Sequence, residues 1–395
     1  MSIEIRDGTD ADLDEHAKLR EQGYAFDPRN SRAWIDQCKR GGLAERMLGA
    51  YDRGRLVGRL SIMPFGQFFG GRPVPAGGIG AVVVAPEYRS RGLGTALLDA
   101  ALKRMRDRGE AVSPLGPATM WVYRKCGWEI AGDQSVRVVP TVDLDRLNFG
   151  PYQERPSTDR DHDAIRKLYI NAALARPGML ARPAWMWDEH LRPDPHRYVY
   201  VVEDKGRLIG YAIYRQFKDR GPSGYSLVLE DLAAESWDAE SVLWRHLGAH
   251  QAQAREVRVQ GLPLDALALH LPEQRIRVIW DHRWMLRVVD ASRAIAARGY
   301  PLGLTLSVPL TIDDPRGPWH SGDWVLDVAE GKGELSRGTG GGPTITITGL
   351  AALYAGYTSA RTLFAAGLLT SATAEQIAAL DAAFSGPRPA MNDDF

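Results

Sequence analysis

Residues 81–94 read A-V-V-V-A-P-E-Y-R-S-R-G-L-G. The run Val82–Val84 predicts a short buried strand, because β-branched side chains favour strands. Pro86 ends this strand, because proline has no amide hydrogen to donate to a neighbouring strand. From about Gly92 onward the apolar residues recur with helical spacing, which predicts an amphipathic helix. The stretch therefore predicts a strand, a loop and a helix in direct succession.

The loop between this strand and helix predicts a binding site for a pyrophosphate. It places Arg89 and Arg91 beside Gly92 and Gly94. Free amides and the positive end of the helix dipole attract anions, glycine lets the backbone approach phosphate closely, and arginine adds charge-assisted hydrogen bonds. Two solvated arginines at a Gly-rich turn are the alternative interpretation. The pattern R-x-x-G-x-G directly behind a V-x-V-A-P strand is more restrictive and favours the anion site.

The same pattern resembles the acetyl-coenzyme A signature of the GNAT (Gcn5-related) N-acetyltransferases. The resemblance implies that the backbone of the strand meets the pantetheine arm and that the loop holds the pyrophosphate. It also implies a further cofactor contact in the segment before a short helix at 120–126. The implied cofactor residues are Val82, Val83, Val84, Arg89, Ser90, Arg91, Gly92, Leu93, Gly94, Thr95, Ala118 and Thr119.

Composition limits the remaining function classes. The 395 residues allow two or three domains, and a formal net charge of zero does not indicate nucleic acid or an anionic membrane as a partner. The two cysteines, Cys38 and Cys126, predict neither a disulfide scaffold nor a metal site. The N-terminus lacks a signal-peptide layout, and no apolar run approaches the ~20 residues of a membrane span. We therefore expect a cytoplasmic protein.

A near-repeat predicts a duplicated domain. Asp52-Arg53-Gly54-Arg55-Leu56-Val57-Gly58 recurs as Asp204-Lys205-Gly206-Arg207-Leu208-Ile209-Gly210, about one domain length later, and both copies read as hairpin turns. Two unrelated D-x-G hairpins are the alternative, but seven identical or similar positions in matching context favour duplication. Strands around 128–142 are expected to close the first copy.

The second copy lacks the phosphate loop. After a strand at 225–232 it carries Glu235, Asp238 and Glu240 where the first copy has arginines and glycines. Carboxylates there would repel a pyrophosphate, so this copy is predicted to bind no cofactor and the chain one acetyl-CoA. His246 and His250 on the following helix are interpreted as a solvated face rather than metal ligands.

The last segment predicts a small α+β domain. It has strands at 302–310, 324–328 and 344–348, and helices at about 349–355, 359–366 and 373–383. The segment resembles the sterol-carrier-protein-like fold. The predicted fold class is therefore α/β (α+β), with tandem GNAT domains at 1–148 and 149–290 and a sterol-carrier-like domain at 291–395.

Two tandem GNAT domains followed by a sterol-carrier-like domain resemble the Eis-type (enhanced intracellular survival) acetyltransferases. The resemblance implies hexamers that acetylate amines, including aminoglycosides and polyamines. It implies that Tyr123, in W-V-Y-R-K-C-G-W, is the general acid, and that the carboxylate of Phe395 enters the active site. The alternative role of Tyr123 is packing beside Trp121 and Trp128. The alternative for the C-terminus is a frayed tail.

Three residues are predicted to contact the substrate. Asp27 and Trp34 follow the first helix and are expected to form part of the substrate wall, and Asp394, with Asp393, would add negative potential for a polycationic amine. The predicted function is acetyl transfer from acetyl-CoA to primary amines of such molecules. Protein-lysine or amino-terminal acetylation is one alternative, and a non-catalytic lipid-binding protein is another.

Overall fold

The structure is a computed structural model that describes residues 3–218 and 224–395. The strands of this part, in chain order, are β1 Ile3–Asp7, β2 Met47–Asp52, β3 Arg55–Phe69, β4 Arg72–Val84, β5 Val112–Leu115, β6 Glu129–Asp133, β7 Val136–Pro140, β8 Gln153–Pro156, β9 Leu180–Ala181, β10 Arg197–Asp204, β11 Arg207–Phe217, β12 Ser226–Ala234, β13 Glu256–Gln260, β14 Arg277–Trp280, β15 Arg283–Val288, β16 Leu306–Asp313, β17 Gly322–Ala329, β18 Lys332–Arg337, β19 Thr344–Thr346 and β20 Leu369–Thr370.

The α-helices of the same part are α1 Leu13–Tyr24, α2 Ser31–Arg40, α3 Leu93–Asp107, α4 Met120–Lys125, α5 Thr141–Leu144, α6 His162–Leu174, α7 Ala184–Leu191, α8 Trp237–Gly248, α9 Asp265–His270, α10 Ala291–Ala297, α11 Ile347–Ala355, α12 Ala360–Ala365 and α13 Ala374–Ala383. Within the described residues, no helix is long and apolar enough to cross a membrane.

The chain divides into two compact units. Unit 1 comprises Met1–Ala131, Trp284–Gly386 and Asp394–Phe395, and unit 2 comprises Gly132–Arg283 and Pro387–Asp393. Unit 1 contains a sheet in the order β1-β2-β3-β4-β5-β15-β6 and a second sheet in the order β18-β17-β16-β19-β20. Unit 2 contains a sheet in the order β14-β7-β13-β12-β11-β10-β8. All three sheets are mixed.

The predicted strand-loop-helix stretch forms the centre of unit 1. β4 pairs antiparallel with β3 along most of its length, and α3 follows after the loop. The buried face of α3 packs on this sheet and consists of Leu93, Leu97, Leu98, Ala101, Leu102 and Met105. Burial of the leucine and methionine side chains, at about 1.5–3 kcal/mol each, holds the N-terminus of α3 beside the end of β4.

The two hairpins of the near-repeat have the same turn conformation. Arg53 and Gly54 have φ angles of 50° and 81°, and Lys205 and Gly206 have φ angles of 49° and 81°. Two successive residues with positive φ define the type I′ turn that favours a tight hairpin. The hairpin assignment made from the sequence is therefore correct at both copies.

The two GNAT-like sheets exchange strands, and this corrects the expectation that strands around 128–142 all close the first copy. Only β6 lies in the first sheet, whereas β7 pairs with β13 and β14 in the sheet of unit 2. In turn β15, from the end of the second copy, pairs with β5 in unit 1. Alternation of apolar residues predicts a strand but not its partner, because pairing depends on contacts far apart in the chain.

A buried ion pair joins β15 to the C-terminal sheet within unit 1. Arg287 of β15 donates to the Asp314 carboxylate at the end of β16, with Nη2 and Oδ2 2.5 Å apart, and the His320 ring lies 2.6 Å from the same oxygen. All three residues are buried. The pair thus provides a buried polar contact between these two sheets of unit 1.

Candidate active site

Strand β4 contains a bulge immediately before the predicted cofactor strand. Ser61 pairs with Gly80 and Arg59 pairs with Val83, so Ala81 and Val82 together oppose a single residue of β3. Ala81 takes a φ of 48°, which is unusual for a residue with a β-carbon. The bulge changes the direction of the strand at the point where Val82–Val84 begin.

Beyond the bulge, one side of β4 is open toward β5. The parallel pairing of β4 with β5 joins Ala76 to Val112, and β5 ends three residues later at Leu115. The amide of Ala85 donates to the Val57 carbonyl of β3 at 2.9 Å. Since peptide groups alternate in direction along a strand, those of Val82 and Val84 point away from β3. Val82 and Val84 therefore direct their peptide groups into the gap between β4 and β5.

The phosphate loop follows this gap. Gly92, with a φ of 78°, is the N-cap of α3, and a β-carbon at this position would meet no atom within 4 Å. Arg89 and Arg91 are exposed; Arg89 donates to the Val84 carbonyl at 3.2 Å, and the Arg91 guanidinium lies 5.6 Å from the Tyr88 ring centre. The loop thus combines an uncapped helix start, free space and two cations, which fits a pyrophosphate.

Tyr123 of α4 is buried in the same core. Its ring packs edge-on against Trp128 with centroids 6.5 Å apart, and burial, with a smaller contribution from Tyr24, raises the pKa of its hydroxyl. A raised pKa keeps the phenol protonated at neutral pH. Val82 and Val84 pack against the cluster that contains Tyr123. Both predicted roles, packing beside Trp128 and proton donation near the strand, are compatible with this position.

Phe395 lies on β4, within unit 1. Its ring packs edge-on against Phe65 at 4.7 Å, and a β-carbon at Gly78 would clash with both rings. A β-carbon at Gly80 would lie 3.1 Å from the Phe395 main-chain oxygen. Two glycines therefore make room for Phe395, and its main-chain carboxyl group lies beside the bulge.

The C-terminal end of α1 forms a wall of the site that the sequence did not reveal. The Tyr24 hydroxyl donates to the Val82 carbonyl at 3.3 Å, and a β-carbon at Gly23 would lie 2.5 Å from the Val83 side chain. Tyr24 packs on Phe26, and the two side chains are 42% and 41% exposed, so this aromatic wall is open to a ligand. The available signal was the sequence Gly-Tyr-Ala-Phe at 23–26, which places two aromatic residues where the first helix ends.

The structure places the other predicted residues as follows. Ala118 and Thr119 are exposed between β5 and α4, at the same end of the sheet as the phosphate loop. Trp34 of α2 is partly buried against the α1–α2 core. Asp27 begins a 3₁₀ turn, and its carboxylate accepts from the Arg29 amide and guanidinium at 2.9 Å. The Asp27 carboxylate is thus engaged within its own turn.

The two aspartates near the end of the chain differ in environment. Asp394 is exposed, whereas Asp393 is buried in unit 2, where its carboxylate accepts from Arg182 at 2.9 Å and lies 3.0 Å from the His190 ring. Burial alone would raise the pKa of Asp393, but Arg182 and His190 lower it overall. Asp393 is therefore a structural anion, and the predicted addition of its charge to a substrate surface is wrong.

The counterpart of the phosphate loop in unit 2 is a capped helix start. The Ser236 hydroxyl accepts from the Ala239 amide at the start of α8, Glu235 pairs with Arg207 at 2.6 Å, and the Glu240 carboxylate accepts from the Trp244 indole. The amide that Ser236 caps is not free to donate to a phosphate, and the acidic groups around it repel an anion. This helix start is therefore a poor site for a pyrophosphate.

His246 and His250 on α8 do not form the solvated face that was predicted from the sequence. His246 lies 3.0 Å from the Tyr214 hydroxyl, and His250 lies 2.6 Å from the Tyr225 hydroxyl. Both histidines are half-buried in this aromatic cluster. The helical pattern missed the contacts because their partners come from strands elsewhere in the chain. Among the described residues, no group of three His, Cys, Asp or Glu side chains is placed to hold a metal ion.

Three family models match the chain. Models described as "Acetyltransferase (GNAT) domain" match residues 4–131 and 178–288, and a model described as "Sterol carrier protein domain" matches residues 291–392. These matches and the three mixed sheets confirm the predicted fold class. They define a protein of the GNAT acetyltransferase class, and GNAT domains imply the use of acetyl-CoA.

Relatives and solved structures specify the family. An uncharacterized N-acetyltransferase of Streptomyces avermitilis is 31% identical over 82% of each chain, and N-acetyltransferase Eis of Mycobacterium tuberculosis is 27% identical over 92% of this chain and 91% of its own. The structure of a GCN5-related N-acetyltransferase from Anabaena variabilis has a TM-score of 0.93, 30% identity and full coverage of both chains. Eis1 from Mycobacterium abscessus has a TM-score of 0.79 and 25% identity, covering 99% of this chain and 100% of its own. The chain belongs to the Eis-type family of GNAT N-acetyltransferases, as the sequence indicated.

Proposed function

We propose that this acetyltransferase moves the acetyl group of acetyl-CoA to a primary amine of a small molecule, at the bulged strand β4. The observation that carries the proposal is the position of the Phe395 carboxyl group over Gly80, next to the Ala81 bulge that begins Val82–Val84. An acid–base group, free backbone amides and an anion-binding loop then meet at one point of unit 1.

The chain's own residues would perform three tasks in this transfer. The Phe395 carboxylate takes a proton from the substrate ammonium, directly or through water, so that the amine nitrogen attacks the thioester carbon. The amide of Val84 donates to the developing oxyanion. As the carbon–sulfur bond breaks, the Tyr123 phenol gives its proton to the thiolate, whose conjugate acid has a pKa of about 8.5, and takes up the second proton that the amide nitrogen loses. The products are an amide, free CoA and one proton.

Acetyl-CoA would bind along the strand and loop. Val82 and Val84 would offer their peptide groups to the pantetheine amides, with Val83 between them, and the segment Arg89–Thr95 would hold the pyrophosphate, with Ala118 and Thr119 as further contacts. The support is the open side of β4 after Ala76 and the free space around Gly92. We propose one such site per chain, in unit 1, because the start of α8 is capped by Ser236.

The family resemblance extends the acceptor to polycationic, aminoglycoside- or polyamine-like amines. The exposed Asp394 carboxylate beside Phe395 supports this extension, since it adds negative charge near the proposed proton acceptor. Trp34 and Asp27 would lie on the acceptor side of the site. Acetylation of a protein lysine would use the same chemistry, and the same assay distinguishes it.

Thiol release tests the proposal. The protein is mixed with acetyl-CoA and, separately, with aminoglycosides, spermidine, short amines and lysine peptides, and CoA thiol is measured. We expect turnover with at least one small amine and little with the peptides. Faster turnover with the peptides would favour protein acetylation. An absence of turnover with every amine, together with tight lipid binding, would favour the lipid-binding alternative.

A C-terminal extension tests the role of the Phe395 carboxylate. Residues added after Phe395 convert its carboxylate to an amide, so we expect lower turnover with unchanged acetyl-CoA affinity. The same peptide added at the N-terminus is the control. Full activity of the C-terminally extended protein would remove this carboxylate from the mechanism.

We also propose a homohexamer in the cytoplasm, and the domain limits 1–148, 149–290 and 291–395. Strand β14 supports assembly, because it is an edge of the unit 2 sheet where Val278, Ile279 and Trp280 are each at least half exposed. Such an edge favours coverage by another chain. The buried free thiols Cys38 and Cys126 suit a reducing compartment. Light scattering on wild type and Trp280→Glu would test the hexamer against the 43.6 kDa chain.

A further inference from the structure

Two arginines lie around one indole ring in unit 1. The Arg20 guanidinium of α1 lies 5.2 Å from the Trp34 ring centre, and the Arg59 guanidinium of β3 lies 5.3 Å from it. Arg59 donates to the His16 carbonyl and to the Ser61 hydroxyl, and its Nε has no hydrogen-bond partner among the described residues. Within residues 3–218 and 224–395, neither guanidinium forms an ion pair.

Both arginines carry their charge at neutral pH. Arg59 is completely buried, and burial, together with the nearby Arg20, lowers its pKa to about 10. Burial also lowers the pKa of Arg20. His16, in contact with Arg59 through its carbonyl, is buried with a pKa lowered to about 3 and therefore adds no charge at neutral pH. The pair is a local excess of two positive charges.

The surrounding groups do not compensate this excess. Glu21 acts on Arg20 only at longer range, so this carboxylate offsets part of the charge of two guanidinium groups and leaves an excess. A cation–π contact stabilises a guanidinium group by less than the loss of its hydration costs. Two like charges at one ring add repulsion. Such a cluster suits the binding of an anion that the chain itself does not supply.

The cluster lies beside the proposed point of acetyl transfer. Arg20 and Tyr24 are one turn apart on α1, about 5.4 Å along the helix axis, and therefore share a face. Tyr24 donates to the Val82 carbonyl, and Arg59 is the direct cross-strand partner of Val83. The Arg20 side chain is partly exposed and also covers the Phe26 ring at 3.8 Å, so it lies on the open aromatic wall.

We propose that the acceptor carries an anionic group in addition to its amine, and that Arg20 binds this group in the positive field of the buried Arg59. The inference rests on the proposed acetyl transfer, and it replaces the purely polycationic acceptor of the family resemblance with an acceptor that also carries an anionic group. The amine would face the Phe395 carboxylate, and the anion, a carboxylate or a phosphate-like group, would face α1. A purely polycationic acceptor would place a second ammonium against Arg20.

A matched series of acceptors tests the inference. 5-Aminopentanoate, pentylamine and 1,5-diaminopentane carry the same primary amine and end in a carboxylate, a methyl group or an ammonium group. Chain lengths of three to six carbons are compared in each class, and aminoalkyl phosphonates distinguish a phosphate-like group from a carboxylate. For wild type we expect the highest kcat/KM with the carboxylate-terminated acceptor, a lower value with the methyl-terminated one and the lowest with the ammonium-terminated one. The carboxylate acceptor should exceed the methyl acceptor by about tenfold or more.

Variants of Arg20 identify the residue responsible. In Arg20→Gln the ratio of kcat/KM between the carboxylate and methyl acceptors should fall to near one, and in Arg20→Lys it should be partly retained. Arg32→Gln is the matched control, because Arg32 is an exposed arginine of the adjacent α2 that pairs with Asp36. The control should keep the wild-type ratio. An ammonium-terminated acceptor that wild type prefers, or a ratio that Arg20→Gln leaves unchanged, would overturn the inference.

A binding measurement separates this inference from the proposed function. Glutarate has no amine and needs no acetyl transfer, so its binding is measured by calorimetry on wild type and Arg20→Gln. Binding that Arg20→Gln abolishes, without turnover of any amine, would retain the anion site and reject the proposed function. Turnover of amines with no effect of the terminal anion and no glutarate binding would retain the function and reject the site.

Discussion

The main-chain carboxyl group of Phe395 lies against Gly80, so close that a β-carbon on Gly80 would be 3.1 Å from the Phe395 oxygen. Gly80 directly precedes Ala81, whose positive φ forms the bulge of β4. The Phe65 ring holds the Phe395 ring from the side. This contact joins two residues that are far apart in the chain and brings a carboxyl group to the strand on which acetyl-CoA is proposed to bind.

Substituting Gly80 should therefore displace Phe395. We expect Gly80→Val to lower kcat, because its branched side chain needs the space of the carboxyl group, while the affinity for acetyl-CoA stays the same. Gly80→Ala should have a smaller effect, because its β-carbon requires a shift of only a few tenths of an ångström. Steady-state kinetics and calorimetry measure the two quantities.

Gly303→Ala is the matched control for these substitutions, since a β-carbon at Gly303 would meet no atom within 4 Å. It should leave kcat unchanged. Wild-type kcat in Gly80→Val would show that the position of Phe395 does not matter for turnover.

Removing the Tyr123 hydroxyl distinguishes proton donation from packing. A general acid typically contributes 10²–10⁴ in rate, so we expect Tyr123→Phe to lower kcat by about 10²-fold while thermal stability changes little. Because burial raises the pKa of Tyr123, its neutral form should persist through pH 9, and this residue should add no alkaline limb to the pH profile below that value.

Tyr300→Phe is the control for loss of a buried hydroxyl. Tyr300 belongs to the same unit, and its hydroxyl donates to the Ile295 carbonyl. We expect unchanged kcat and a small loss of thermal stability. If Tyr123→Phe behaved in the same way, Tyr123 would be a packing residue beside Trp128.

The phosphate loop predicts a salt-dependent affinity for acetyl-CoA. Hydrogen bonds to charged groups contribute about 1.5–3 kcal/mol, so Arg91→Gln should raise the Kd for acetyl-CoA about tenfold or more. The increase should shrink as the salt concentration rises, because salt screens the exposed arginine. Arg207→Gln, at an exposed arginine beside the start of α8, should leave the Kd unchanged. Equal effects of the two substitutions would contradict the site.

The Arg287–Asp314 pair predicts acid sensitivity of unit 1. Burial alone would raise the pKa of Asp314, but His320 and Arg287 lower it from 3.8 to about 2. A lowered folded-state pKa stabilises the fold above the unfolded value of 3.8, and this contribution is lost as the pH falls from about 5 toward 2. The loss amounts to about 2–3 kcal/mol.

Asp314→Asn tests this assignment by chemical denaturation at several pH values. Breaking a buried pair leaves Arg287 without its carboxylate and should cost about 3–5 kcal/mol at pH 7. The stability difference between wild type and the variant should narrow below pH 4. A difference that is independent of pH would assign the acid sensitivity to other carboxylates.

Local patterns were sufficient to predict a candidate cofactor loop. The glycines and arginines after Pro86 predicted a phosphate loop because helix starts and glycine backbones bind anions by general chemistry. The repeated D-x-G-R hairpin predicted the duplication, and both turns have the predicted conformation. These features depend on residues close together in the chain, where the residue types restrict the local backbone directly.

The acceptor half was less accessible from the sequence. Asp27 looked like an acidic wall residue, but Arg29, two residues away, engages its carboxylate. Asp393 looked like a surface charge, but a buried arginine far along the chain pairs with it. The role of Arg20 and Arg59 depends on the absence of such a partner in the described part of the chain. The composition and spacing of a sequence do not show whether a charged side chain has an ion-pair partner.

By itself the sequence determined the elements, the fold class, the family and the loop suited to acetyl-CoA. Only the tertiary structure decided which sheet each of β7 and β15 joins, where Phe395 lies, and which charges are left unpaired around Trp34. The physical reason is that local backbone conformation follows from neighbouring residues, whereas strand partners, burial and ion pairs depend on contacts between residues that are far apart in the chain. The cofactor loop is local, and the proposed acceptor site is assembled by the fold.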